Sequence, residues 1–86
     1  MIAIVTGASS GIGAAVAKLF VKSGHSVVGI GRDAPKLDSL ARALGDSFQP
    51  RPCDVTDTTV FAAVLRQAAD DHGHVDVLVN NAGTAK

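Results

Sequence analysis

Short apolar runs and longer stretches of helical periodicity alternate along the chain. Ile2-Ala3-Ile4-Val5 and Ser26-Val27-Val28-Gly29-Ile30 are β-branched and nearly continuous, and Val75-Asp76-Val77-Leu78-Val79-Asn80 is a third such run. Runs of this length suit strands covered on both faces. Between them, Ile12, Val16, Leu19 and Phe20 recur at helical spacing, as do Leu37, Leu40, Ala41 and Leu44, and then Val60, Phe61, Val64, Leu65 and Ala68. Each set predicts a helix with one inward face. Gly24, Gly45 and Gly73 supply stop signals, Asp33 a cap with Pro35 in the first turn behind it, and Thr56 or Asp57 a cap for the last helix. Ser47 to Cys53 holds a further strand, but Pro50 and Pro52 delete ladder donors and place it at a sheet edge.

The order is β-α-β-α-β-α-β, which predicts an α/β fold. Strands separated by crossover helices run parallel, and right-handed crossovers in a doubly wound sheet give the spatial order 3-2-1-4. Ligands bind outside the carboxyl ends of strands where the order reverses, here between strands 1 and 4. That crevice is where Thr6-Gly7-Ala8-Ser9-Ser10-Gly11-Ile12-Gly13 meets Asn80-Asn81-Ala82-Gly83. The first of these joins a strand to a helix through three glycines. A helix start offers amide hydrogens with no intrahelical partner and the positive end of the dipole, so the turn reads as a phosphate cradle. A Cβ at Gly11 or Gly13 would stand where ligand or strand must pass.

Composition narrows the picture further. A chain of 86 residues makes one domain, residues 1–86, and at this size folding buries only about 60% of the unfolded surface. Apolar residues at 47% and charged residues at 19% describe a soluble globular chain, and a formal net charge of zero gives no case for nucleic acid or membrane. No run approaches a membrane-spanning length and no charged leader precedes a longer apolar stretch, which reads as cytoplasmic. The lone Cys53 serves as a small apolar residue beside a strand end, and His72 and His74 flank Gly73 with no third ligand for a metal.

Three motifs in order resemble the short-chain dehydrogenase/reductase family. Thr6 to Gly13 is similar to its TGxxxGxG cofactor loop, Cys53-Asp54-Val55-Thr56 to its acidic adenine-contact position, and Asp76 to Gly83 to its DxLVNNAG strand. The resemblance covers nearly the whole chain and implies an NAD(P)-binding Rossmann half-domain. It implies a pyrophosphate held by the backbone from Gly7 through Ser9, Ser10, Gly11, Ile12 and Gly13, with the serine hydroxyls as donors or simply as turn formers. Asp54 would accept from the adenine amine with the Val55 amide at a ring nitrogen, or else be a turn-forming acid. Asn81, Ala82 and Gly83 would lie against the ribose, unless the asparagines chiefly tie strand 4 to its neighbours.

Cofactor choice turns on Gly31-Arg32-Asp33. Asp33 follows Gly13 at about the interval of the general acidic fingerprint, which favours NAD. In the resembled family, however, the discriminating acid stands at the strand end, where this chain has Gly31, and an arginine next to it resembles NADP-preferring members. A guanidinium at Arg32 can grip a 2′-phosphate with two donors. The expected cofactor is therefore NADP, with NAD as the alternative, Asp33 as a helix cap, and a solvated loop charge as the plain reading of Arg32.

The family uses a tyrosine as general acid/base, helped by a lysine, a serine and an asparagine of a later helix, and this chain has no tyrosine. It resembles the family only up to strand 4, so no catalytic residue is assigned and no dehydrogenase activity is expected of these residues alone. Strand 4 would stand at an open sheet edge, which favours a homodimer or a partner chain pairing along it. Two alternatives to a cofactor-binding portion are a structural pseudo-enzyme that binds a partner, and a half-enzyme completed in trans by a chain carrying the missing tyrosine and lysine.

Overall fold

A computed structural model describes residues 1–54 and 56–80. Four parallel strands, β1 (Ile2–Thr6), β2 (Ser26–Gly31), β3 (Phe48–Pro52) and β4 (Val77–Val79), lie in the order β3-β2-β1-β4. The connections are α1 (Gly11–Lys22), α2 (Ala34–Leu44), followed by a 3-10 turn at Gly45–Ser47, and α3 (Thr58–His72). This is the Rossmann-like arrangement the alternating pattern predicts, with β3 and its prolines at an edge.

Alternation along the central strands divides the core in two. Ala3, Val5 and Val27 face α1 and α2, where they pack with Ala8, Ala17, Leu37, Leu40 and Phe48. Ile4, Val28 and Ile30 face the other way and meet Cys53 and Ala68, with Phe61, Val64 and Leu65 of α3 closing that side. The runs of β1 and β2 are apolar throughout because both faces of a central parallel strand are covered. Gly29 serves this packing directly: a Cβ there would run into the ring of Phe48, which lies over β2 from the neighbouring strand.

The helix faces differ in part from the periodic reading. Ile12 and Leu19 are 71% and 65% exposed, and the buried stripe of α1 runs instead through Gly13 and Ala17. Small residues on that stripe bring the helix axis close to the sheet, so Phe20 and Val21 pack at the flanks and the larger Ile12 and Leu19 turn outward. Val60 is likewise exposed, while Phe61, Val64, Leu65 and Ala68 pack as expected. Asp57, not Thr56, caps α3 by accepting from the Val60 amide at 3.3 Å. Asp33 caps α2 through the Lys36 amide at 3.1 Å.

Strand boundaries are shorter than expected at two places. The ladder of β4 spans Val77 to Val79 rather than Val75 to Asn80, because Asp76 begins a different attachment. Its amide donates to the Ile2 carbonyl at 2.9 Å and its carboxylate accepts from the Ile2 amide at 2.8 Å. The Ile2 bond, with a smaller contribution from the His74 ring 3.0 Å away, holds the Asp76 carboxyl below the usual carboxylate range. In β3 the 3-10 turn absorbs Ser47, and pairing ends at Pro52.

Truncating Phe48 to alanine should cost about 3–5 kcal/mol in urea unfolding, since the ring fills the space over Gly29. Ile12→Ala, at a position of α1 that periodicity turns inward but that is exposed, should stay within about 0.5 kcal/mol of the parent. Equal losses for the two variants would contradict the observed rotation of α1.

Candidate functional site

The carboxyl ends of β1 and β2 carry the glycine loop. Gly7 turns the chain with φ +66°, a conformation that side-chain-bearing residues rarely adopt, and the Ala8 amide then donates to the Ile30 carbonyl at 2.9 Å, tying the loop to β2. The Gly7 carbonyl receives both the Ser10 amide, at 3.0 Å, and the Ser10 hydroxyl, at 2.7 Å. Ser10 is also the N-cap of α1, its hydroxyl accepting from the Gly13 amide at 3.2 Å. The Ser10 side chain thus builds the turn. Between the two serines, the one placed to serve as an extra donor is Ser9, whose hydroxyl has no hydrogen-bond partner among the described residues.

The glycines of the loop separate into two kinds. A Cβ on Gly13 would fall on the Gly7 carbonyl oxygen, so the fold itself demands glycine there. A Cβ on Gly11 would meet no protein atom within 4 Å. The protein leaves that space open beside the first turn of α1, where the Gly13 amide is spent on Ser10 and the amides of Gly11 and Ile12 precede the first helical bond, made by Ala14 to Ser10.

A second group gathers at the ends of β2 and β3. The last bond of the β2–β3 ladder comes from the Cys53 amide, which donates to the Gly31 carbonyl at 2.8 Å. Asp54 follows at once, exposed, its Oδ1 accepting from the Thr56 hydroxyl at 2.7 Å and the Thr56 amide at 3.0 Å. Those two bonds lower its carboxyl pKa, and the charge of Arg32 adds a smaller effect in the same direction. Asp54 is therefore an ionised acceptor whose bonds to Thr56 form the turn into α3. Arg32 is exposed at the end of β2. A Cβ on Gly31 would lie 2.7 Å from the Ser9 hydroxyl oxygen and 3.3 Å from the Ser9 amide nitrogen, so loop and strand end touch.

On the other side of the loop, Thr6 is fully buried and its hydroxyl reaches the Val79 carbonyl at 3.3 Å and Asn80 Oδ1 at 3.1 Å. Asn80 thereby ties β4 to β1. Val55, Asn81, Ala82 and Gly83, the remaining expected contacts, lie outside the described residues. Burial raises the Cys53 thiol pKa, with Asp54 and Asp57 contributing, which suits a packing residue rather than a nucleophile. Among the described residues no His, Cys, Asp and Glu group could hold a metal ion, and no helix is long and apolar enough to cross a membrane.

This geometry coincides with a sequence match: the short chain dehydrogenase family matches residues 1–86. The chain belongs to that family. A probable NADP-dependent dehydrogenase of Dichelobacter nodosus is 46% identical over 85 residues, covering 99% of this chain and 80% of the relative. Among solved structures, the closed form of serine dehydrogenase complexed with NADP+ superposes with a TM-score of 0.90 at 35% identity, over 99% of this chain and 34% of that one. A 3-ketoacyl-(acyl-carrier-protein) reductase of Brucella melitensis complexed with NADH gives a TM-score of 0.84 at 34% identity, over 90% of this chain and 32% of that one. The chain thus spans about a third of the length of these two structures.

Two features of the site carry little sequence signal. The contact between Ser9 and Gly31 joins residues far apart in the chain, and the buried Thr6 hydroxyl is legible only once β4 is placed beside β1. Gly13→Ala should destabilise the protein by about 1–3 kcal/mol by overpacking against Gly7. Gly11→Ala should leave it unchanged or stabilise it by up to about 1 kcal/mol through helix propensity. Thermal melts of both variants check the division.

Proposed function

We propose that residues 1–86 form the dinucleotide-binding portion of an NADP-preferring short-chain dehydrogenase. The open space at Gly11 carries the reading: no protein contact requires a missing side chain there, whereas a pyrophosphate approaching the Gly11 and Ile12 amides does. Ser9 would add a hydroxyl donor, Gly7 and Gly13 would keep the turn close to the helix, and Ser10 would hold the turn in shape. Asp54 would accept from the adenine amine through its ionised carboxylate, with Val55 next to it, and Asn81, Ala82 and Gly83 would flank the ribose. Arg32 would take the 2′-phosphate.

The contact of Gly31 with Ser9 supports the NADP preference over NAD. A carboxylate at the strand end, the group that would bind a free 2′-hydroxyl, needs a Cβ that the Ser9 side chain crowds. NADP-complexed relatives are consistent with this, and the NADH-complexed one keeps NAD as the second cofactor to test. The bound dinucleotide supplies a hydride donor or acceptor. The chain's own residues bind and orient its adenosine and pyrophosphate, but with no tyrosine among the 86 they offer no phenol to protonate a carbonyl oxygen.

Calorimetric titration should show tighter binding of NADP+ than of NAD+, with Arg32→Leu removing about tenfold or more of that preference. The same preparation should not oxidise NADPH with a panel of ketones above the buffer rate. Undiminished preference in Arg32→Leu, or turnover by the chain alone, would overturn the assignment of roles.

The exposed edge of β4, where Leu78 is half in solvent, is the proposed partner surface when these residues stand alone. Sedimentation equilibrium should then show concentration-dependent association that a lysine at Leu78 weakens, and a strict monomer at all concentrations would exclude it.

A further inference from the structure

The two outer strands of the sheet present unlike edges. Register and hydrogen bonds fix the direction of each backbone group along them. On β3, the Cys53 amide donates to Gly31, whose register partner is Pro52. Residues 49, 51 and 53 therefore turn their backbone groups toward β2, and residues 48, 50 and 52 turn theirs out of the sheet. None of the three outward positions offers a hydrogen. Pro50 and Pro52 carry no amide hydrogen, and the Phe48 amide is spent on the Gly45 carbonyl of the 3-10 turn. The Pro50 carbonyl is itself covered by Nη1 of Arg51 at 3.1 Å. This edge gives an added strand no donor to pair with.

β4 is the opposite case. The Ser26 amide donates to the Met1 carbonyl and Ser26 pairs with Ile2, which turns residues 1, 3 and 5 toward β2 and residues 2, 4 and 6 toward β4. With Ala3 opposite Val77 and Val5 opposite Val79, residues 77 and 79 complete that second ladder. The Leu78 amide and carbonyl then point outward, on a strand whose single neighbour is β1. The Leu78 side chain stands level with Ile4, on the α3 side of the sheet, and is 53% exposed.

We propose that the chain forms a closed dimer through β4 alone, with the two copies of β4 antiparallel about a twofold axis at Leu78 and the joined sheet ended on both sides by β3. The inference rests on the reading of β4 as the partner surface and adds the register and the point at which assembly stops. A donor and an acceptor on one residue are self-complementary. Leu78 of each copy gives its amide to the Leu78 carbonyl of the other, and Val77 of one copy stands opposite Val79 of the other. Directly opposite residues project to the same face, so the two Leu78 side chains meet there and leave water. A sheet with two usable edges would add copies head to tail into a filament. Here each copy has one edge to give, and pairing consumes both. The two-residue spacing of Pro50 and Pro52 is what allows this, since prolines at 49 or 51 would have removed donors from the β2 ladder instead.

Sedimentation equilibrium over a wide concentration range should show a plateau at twice the chain mass. The double variant Pro50→Val/Pro52→Val, which restores two outward amides, should associate past that plateau. In a Cys53→Ala background, Leu78→Cys should crosslink into a covalent dimer under mild oxidation. Leu19→Cys, as exposed but on α1 across the sheet, should not. Thermal melts confirm that each variant folds. A monomer at every concentration overturns the partner surface and the dimer together. A parent that grows past two copies without a plateau overturns the closed dimer and leaves β4 as a partner surface, as does a Leu78→Cys variant that crosslinks no faster than Leu19→Cys. A folded double proline variant that stays dimeric overturns the sealing of β3.

Discussion

The carbonyl oxygen of Gly7 is the point around which this structure is arranged. It accepts from the amide and the hydroxyl of Ser10, and Gly13 packs against it closely enough to admit no side chain. Those contacts set the angle at which α1 leaves β1, and that angle brings the Gly13 and Ala17 stripe down onto the sheet. The distance between helix and sheet then decides which large residues fit between them. Ile12 and Leu19 do not, and they turn outward.

The same economy of space recurs along β2. Gly29 makes room for the Phe48 ring on the side of α1 and α2, and Gly31 makes room for Ser9 at the strand end. One glycine thus serves the core and the other the site, two residues apart on the same face of one strand. β1 is held from both sides, by the β2 ladder and the Ala8 bond to Ile30 on one and by Asp76, Thr6 and Asn80 on the other. A rigid central strand keeps the loop at its tip in register with both neighbours.

Much of this was legible in the sequence because it is local or periodic. The alternation of strand and helix signals dictated a parallel sheet, and the two prolines placed β3 at its edge. Chain order plus handedness then yielded 3-2-1-4. The cap at Asp33 follows from side-chain chemistry within one turn, while the choice of Asp57 over Thr56 needed the structure. What periodicity could not deliver was the rotation of α1, because hydrophobicity ranks isoleucine above glycine while close packing ranks them the other way. The division between Gly11 and Gly13 was hidden for the same reason: identical residues, one required by an oxygen brought near by the turn and the other by nothing in the protein. Ser9 and Gly31 are neighbours only once the loop after β1 is placed beside the end of β2.

The crowding of Gly31 by Ser9 also links two positions far apart in the chain. A side chain at 31 would meet the hydroxyl and Cβ of Ser9, whereas Ser9→Gly removes both of those atoms. The two positions are therefore coupled sterically: the size of side chain that fits at 31 depends on the residue at 9. The room at the end of β2 is thus set from the loop that follows β1.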